Sequence, residues 1–236
     1  MSNKAHLITG YSNNRRPYDF YPTPMAGTMA LLENEVFSGS ILEPCSGAGH
    51  ISKVLEKKFP GQKILSYDIR KDKVYGTGGI DFLKQTAEFY NHPDHIITNP
   101  PYKLLTEFIQ HSKTIARYKI AMLLPTQALG GKIHNGLIWT DKQFPLKKVI
   151  IIPDRLKFFS TKNSSTVYHL WAIWDRFHIG EPIITWHQKK NNTLSLFPDE
   201  EEPEEDEEEN FKDAMETEVI LLQKQIEIES EVFCDA

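Results

Sequence analysis

SILEPCSGAGHISKVLEKKFPGQKILSYD, residues 40–68, reads as strand, turn, helix and strand in succession. SILEP is a short apolar run that stops at Pro44, which has no N–H to extend a sheet pairing. Gly47 and Gly49 then give the chain room to turn, and HISKVLEKKF has helical spacing. KILSYD is apolar again and ends on Asp68. Two strands joined through a helix run parallel, because a tight hairpin cannot contain the crossover.

The rhythm continues on both sides of this unit. RRPYDFYPTP, residues 15–24, leads into a helical pattern from about Ala26 to Val36. DHIIT (94–98) is a third strand, KLLTEFIQHSKTIARY (103–118) a second long helix, and KIAMLLP (119–125) a further strand that ends at proline. The apolar runs are continuous rather than alternating, which predicts a parallel sheet covered on both faces. KKVIIIPD (147–154) and STVYHLWAIWD (165–175) follow without a helix of ordinary length between them, so they are expected as an antiparallel pair at one edge.

Charge divides the chain. From Asp199 onward there are 17 acidic and two basic residues, a net of −15, which leaves +10 for residues 1–198. A basic body is the footprint of a polyanion partner. Residues 199–210 repel themselves and bury nothing, so a disordered acidic linker is expected. In 211–236 the spacing of Met215, Val219, Leu222 and Ile226 suits a short amphipathic helix. No stretch approaches the roughly 18–20 apolar residues of a membrane span. The opening residues lack the apolar core of a signal peptide, and Cys45 and Cys234 form no disulfide or zinc framework. A cytoplasmic protein is the expectation; the sequence leaves its oligomeric state open.

Ligands of an open parallel sheet bind outside the carboxyl ends of its strands. Three stretches lie there. EPCSGAGHI (43–51) offers Gly47 and Gly49 and the free N–H groups of the next helix, although Ser52 stands where the third glycine of a GxGxxG pattern would be. Asp68 ends the next strand, where a carboxylate can accept both hydroxyls of a ribose. These two loops fit a dinucleotide as well as any other nucleoside-like cofactor. Asn99-Pro100-Pro101-Tyr102, after the DHIIT strand, is more particular. The Asn99 oxygen and the Pro100 carbonyl could accept both protons of an exocyclic amino group, and Tyr102 could stack on its ring. His92, His95 and His111 have no acidic or cysteine partners in sequence, so no metal is expected, and Cys45 reads as a small buried residue.

The ordered set DFYPTP, ILEPCSGAGHI, SYDIR, IDFL and IITNPPY, within residues 18–175, resembles amino-group DNA methyltransferases that use S-adenosylmethionine (S-adenosyl-L-methionine). It is most similar to the adenine-N6 type in which the cofactor motifs precede NPPY. The resemblance implies the class I methyltransferase fold: a Rossmann-like, mostly parallel seven-stranded sheet with an antiparallel edge strand and helices on both faces. It also implies roles. Phe20 and Thr23 would contact the methionine end of the cofactor, and Glu43, Pro44, Gly47 and Gly49 would line its pocket. Asp68 would hold the ribose, with Asp81 and Phe82 against the cofactor's adenine. Asn99, Pro100, Pro101 and Tyr102 would grip the target amino group, and Phe159, or else Phe158, would close the other side of the target base.

The catalytic domain so implied occupies residues 1–198, without a large separate target-recognition domain, as in compact phage-encoded adenine methyltransferases. A bacterial or phage-infected cell is then the expected setting. Residues 129–148 and 176–197 are the segments available to reach a groove, through Lys132, His134, Lys189 or Lys190. Thr193-Leu194-Ser195-Leu196-Phe197 resembles the short peptide by which bacterial proteins dock on the replication sliding clamp, with Thr193 in place of the expected glutamine. Adenine in RNA, cytosine N4 and a protein glutamine amide offer the same planar amino group. A non-catalytic protein whose acidic tail imitates DNA is the alternative of another class.

Overall fold

The structure is a computed structural model and describes residues 22–130, 139–158 and 167–188. Within them the chain forms helix α1 (Met25–Leu32), strand β1 (Ile41–Glu43), helix α2 (His50–Lys58), strands β2 (Ile64–Ser66) and β3 (His95–Thr98), helix α3 (Leu105–Ile115), and strands β4 (Lys119–Pro125), β5 (Leu146–Ile152), β6 (His169–Asp175) and β7 (Ile183–Trp186). The expected acidic linker and C-terminal helix lie outside the described residues.

The strands make one sheet in the order β2-β1-β3-β4-β6-β5-β7. β2, β1, β3 and β4 are parallel neighbours. β6 runs antiparallel to both β4 and β5. This is the Rossmann-like, mostly parallel architecture of class I methyltransferases. The antiparallel pair forms as expected, but it is not outermost: β7, from the segment read as a groove-reaching loop, adds in parallel outside β5. Its isoleucines and Trp186 are exposed, as an edge position allows.

Alternation assigns the two faces. Leu42, Ile96, Ile120, Met122, Leu170, Ala172 and Trp174 form one buried cluster with Leu105, Phe108 and Ile109 of α3. Burying each of the leucine, isoleucine, methionine and phenylalanine side chains contributes about 1.5–3 kcal/mol. Residues of the other parity, among them Ala121, Leu123, Trp171 and Ile173, meet on the opposite face, where Trp171 Nε1 donates to the Gly27 carbonyl at 2.7 Å. That bond ties α1 to β6. A side chain at position 27 would press on Leu156, so glycine keeps α1 close.

At the amino ends of β4 and β5, the buried Glu35 gathers lysines from both strands. Lys119 and Lys147 donate to its Oε1 at 2.7 and 2.9 Å. Lys148 Nζ lies 3.1 Å from Oε2 as an ion pair, its own hydrogen bond going to the Asn34 carbonyl. α1 ends at Leu32, short of the expected Val36, and the turn beyond it carries Glu35 to this cluster, its N–H donating to the Leu31 carbonyl at 2.9 Å.

Candidate active site

β1 has β2 on one side and β3 on the other, so the strand order reverses there. The crevice outside the carboxyl ends at such a switch point is where an open α/β sheet holds ligands. The loop after β1 is Pro44–Gly49 and the corner after β3 is Asn99–Tyr102. β1 and β3 are parallel neighbours, so the two stretches leave the sheet at the same edge.

The glycine loop is tightly built. Gly47 and Gly49 take φ of 55° and 87°, the left-handed region that side chains rarely adopt. A Cβ on Gly49 would lie 2.5 Å from the ring of Tyr75. The segment around Tyr75 is stitched across the loop: Tyr75 N–H donates to the Gly47 carbonyl at 2.8 Å, and Ser46 Oγ to the Tyr75 carbonyl at 2.7 Å. Glu43, only 1% exposed, accepts a hydrogen bond from Ser52 Oγ, which lies 2.6 Å from Ser66 Oγ. Ser52 therefore fills the place of the missing third glycine with a hydroxyl that serves Glu43. Burial pushes the Glu43 carboxyl well above the ordinary range; Ser52 opposes this, and the charges of Asp68 and Glu56 add to it. Pro44 is buried beside it.

Asp68 is also buried. Its Oδ2 accepts Gly47 N–H at 2.8 Å, and its Oδ1 accepts the Arg70 backbone N–H and Nε at 2.9 and 3.1 Å. Sequence reasoning missed Arg70, although its position two residues after Asp68 was the available signal. Asp81 caps the short turn Phe82–Lys84 by accepting Leu83 N–H, and pairs with Lys84 at 3.1 Å. Phe82 is buried among Tyr90, Phe108 and His111.

At the corner, Pro100 is buried and Asn99 is half-buried. Asn99 Nδ2 donates to Thr23 Oγ1 at 3.1 Å. Pro100 and Pro101 contribute no N–H, so their stretch of backbone offers only carbonyl oxygens. Tyr102, half-buried, opens the 3₁₀ turn Tyr102–Leu104 that leads into α3. Burial, with the nearby Asp68 charge, pushes the Cys45 thiol up and away from thiolate chemistry.

Phe158 is half-buried, its ring 4.7 Å from that of His169. Burial draws the His169 pKa down to about 4, so this histidine is neutral near pH 7. Phe20, Lys132, His134, Phe159, Lys189 and Lys190 lie outside the described residues, as do Leu194, Leu196 and Phe197. Among the described residues no group of three or more His, Cys, Asp and Glu could hold a metal ion. No helix among them is long and apolar enough to cross a membrane.

No protein-family model matches the chain, and no curated protein matches it. Solved structures do. A modification subunit of a putative type I restriction enzyme from Vibrio vulnificus YJ016 is 14% identical over 73% of this chain and 48% of its own, with a TM-score of 0.47. TrmN from Thermus thermophilus is 16% identical over 65% of this chain and 49% of its own, with a TM-score of 0.48. A predicted O-methyltransferase from Agrobacterium tumefaciens is 12% identical over 69% and 84%, with a TM-score of 0.47. The chain spans about half the length of the first two. At this level the likeness concerns the chain's architecture, and the function is read from its own residues.

Proposed function

We propose that the chain transfers a methyl group from S-adenosylmethionine to the exocyclic N6 amino group of adenine in DNA. The observation that carries this reading is the corner after β3. β1 and β3 are parallel neighbours, so this corner and the glycine loop leave the sheet at the same edge, and Asn99 Nδ2 donates to Thr23 Oγ1. The lone pair of a base's amino group is delocalised into the ring. Two acceptors on its protons favour a pyramidal nitrogen with a localised lone pair, and Tyr102 gives a flipped base a face to stack on.

The donor set suits a cationic nucleoside cofactor. Asp68 would meet the ribose hydroxyls, Glu43 the methionine end, Gly47 and Gly49 would allow close backbone approach, and Asp81 and Phe82 would lie on the adenine side. When bound, the cofactor supplies a methyl group on a sulfonium centre. Transfer forms one N–C bond as one S–C bond breaks, and the amino nitrogen gives up one proton to water. Asn99 and Pro100 hold that nitrogen in line; no covalent nucleophile takes part.

The net +10 of residues 1–198 favours nucleic acid over a glutamine amide as substrate. The choice of adenine N6, and of DNA over RNA, rests on the motif resemblance. Incubation with methyl-labelled cofactor and unmethylated DNA, followed by digestion to nucleosides, tests it. Label in N6-methyladenine is expected. Label that stays soluble, or appears in cytosine, would refute the assignment.

A further inference from the structure

We propose that Arg155, stacked on Tyr168 at the carboxyl edge of the sheet, binds a backbone phosphate of the DNA strand that carries the target base. This rests on the reading of the Asn99 corner as the target site. The cations at the two edges of the sheet differ in what they meet. At the amino edge Lys113 pairs with Asp141, Arg117 with Asp94, Lys119 and Lys148 with Glu35, and Lys147 with both Glu35 and Asp175. Their charge is neutralised within the fold. At the carboxyl edge Lys103, Arg155 and Lys157 are exposed and make no ion pair with any acid among the described residues, Asp154 included. Positive charge that the fold leaves unneutralised at the edge of the candidate site points to an anion from outside.

Arg155 is held in place by its surroundings. It follows β5, whose carboxyl end lies at this edge because β4 and β5 both run antiparallel to β6. Its guanidinium carbon sits 5.3 Å from the centre of the Tyr168 ring. A guanidinium stacked by its face keeps its N–H fork available in its own plane, the geometry that grips a phosphate through two donors. Leu156, next in the chain, is buried against Gly27 of α1, and the Phe158 ring lies 4.7 Å from that of His169. Tyr168 is tied to the end of β4 by Thr126 N–H, which donates to its carbonyl at 3.0 Å, yet it remains 43% exposed. Thr98 pairs with Met122, so the Asn99 corner runs beside the end of β4, and β6 is the next strand. Tyr168 therefore stands two strand spacings, about 10 Å, from the line of β3. At about 3.4 Å per nucleotide, a phosphate there belongs to the same strand, some three nucleotides from a base held at the corner. Such a contact fixes the position of the strand and carries no sequence information.

Anisotropy titrations of the full chain with labelled, unmethylated duplex DNA, from about 50 to 200 mM salt, test this. Arg155→Ala should weaken binding on the order of tenfold and lower the slope of log Kd against log salt by about one, the mark of one lost phosphate. Arg155→Lys should keep the slope and recover only part of the affinity, because an ammonium keeps the charge but not the stacked fork. Tyr168→Leu should weaken binding severalfold with the slope unchanged. Lys142→Ala, which removes an exposed lysine at the amino edge, should change neither. Urea midpoints close to wild type show that all four variants fold. An unchanged slope in Arg155→Ala, or an equal fall in Lys142→Ala, would overturn the inference. A slope change seen with RNA and not with DNA would overturn it as well. The inference and the proposed reaction fail separately. A slope lost with Arg155 supports the phosphate contact even if no adenine is methylated. Methylated DNA with an unchanged slope in Arg155→Ala refutes the contact alone, and a wild-type chain that does not bind DNA refutes both.

Discussion

Glu35→Gln removes the negative charge from the lysine cluster at the amino ends of β4 and β5. Burial alone would raise the Glu35 pKa; Lys119, Lys147 and Lys148 more than offset it and hold the group at about 2, against an ordinary 4.5. At about 1.4 kcal/mol per decade, that difference corresponds to roughly 3 kcal/mol of stability at neutral pH. The lysine side chains retain partial contact with solvent, at 17–24% exposure, so salt should trim this figure. The sign follows from the lowered pKa. Stability is fully present above the unfolded value of 4.5 and is lost as pH falls towards 2. Urea unfolding of wild type and Glu35→Gln should therefore show a gap of about 2–3 kcal/mol at pH 7 that falls to roughly half near pH 3. A gap that is absent at pH 7, or as large at pH 3 as at pH 7, would refute the reasoning. A like test in high salt should narrow the gap at pH 7 as well.

Three further outcomes are expected. Asn99→Ala should abolish methyl transfer while cofactor Kd by calorimetry stays near wild type; parallel loss of both would move Asn99 into the cofactor pocket. Glu43→Gln should be more stable than wild type at neutral pH, because a carboxyl with a raised pKa contributes its stability below the unfolded value and loses it as pH rises. The same variant should bind cofactor more weakly, and urea curves at pH 4 and pH 8 with one calorimetric titration check both parts. Gly49→Ala, which forces a Cβ at φ 87° into the Tyr75 ring, should displace that segment and weaken cofactor binding by about tenfold or more.

Much of this was legible in the residues because local pattern and tertiary demand agreed. KIAMLLP becomes β4 residue for residue, since an unbroken apolar run ending in proline has few other uses inside a sheet covered on both faces. IITW was not read as a strand. Four residues with exposed isoleucines at a sheet edge carry neither the length nor the alternation that marks a strand. In the candidate site, the glycine loop and the Asn99 corner were legible as the ends of two strands that prove to be parallel neighbours. The partners of those groups were not legible. Thr23 and Asn99 are 76 residues apart, and Tyr75 reaches Gly47 through a turn whose path depends on Gly76 and Gly79 at positive φ. Such contacts depend on where the fold places two loops, which periodicity does not encode.

The two buried glutamates show why the crevice after β1 reads as a site and the cluster at Glu35 as structure. Glu35 carries its counter-charge with it: three ammonium groups within 3.1 Å hold it ionised. A buried ion so paired supports the fold and has little left to offer a ligand. Glu43, more deeply buried, has the hydroxyl of Ser52 and no cation among the causes of its shift; its neighbours Asp68 and Glu56 add negative potential. For folding alone this is a poor arrangement, and an apolar residue on β1 would serve better. The balance changes when a cation enters from outside, because the ligand then brings the counter-charge that the fold leaves out. Burial and charge thus push two carboxyls of one chain in opposite directions, and the one pushed towards its neutral form lies at the strand end where the glycine loop and the acceptor corner meet.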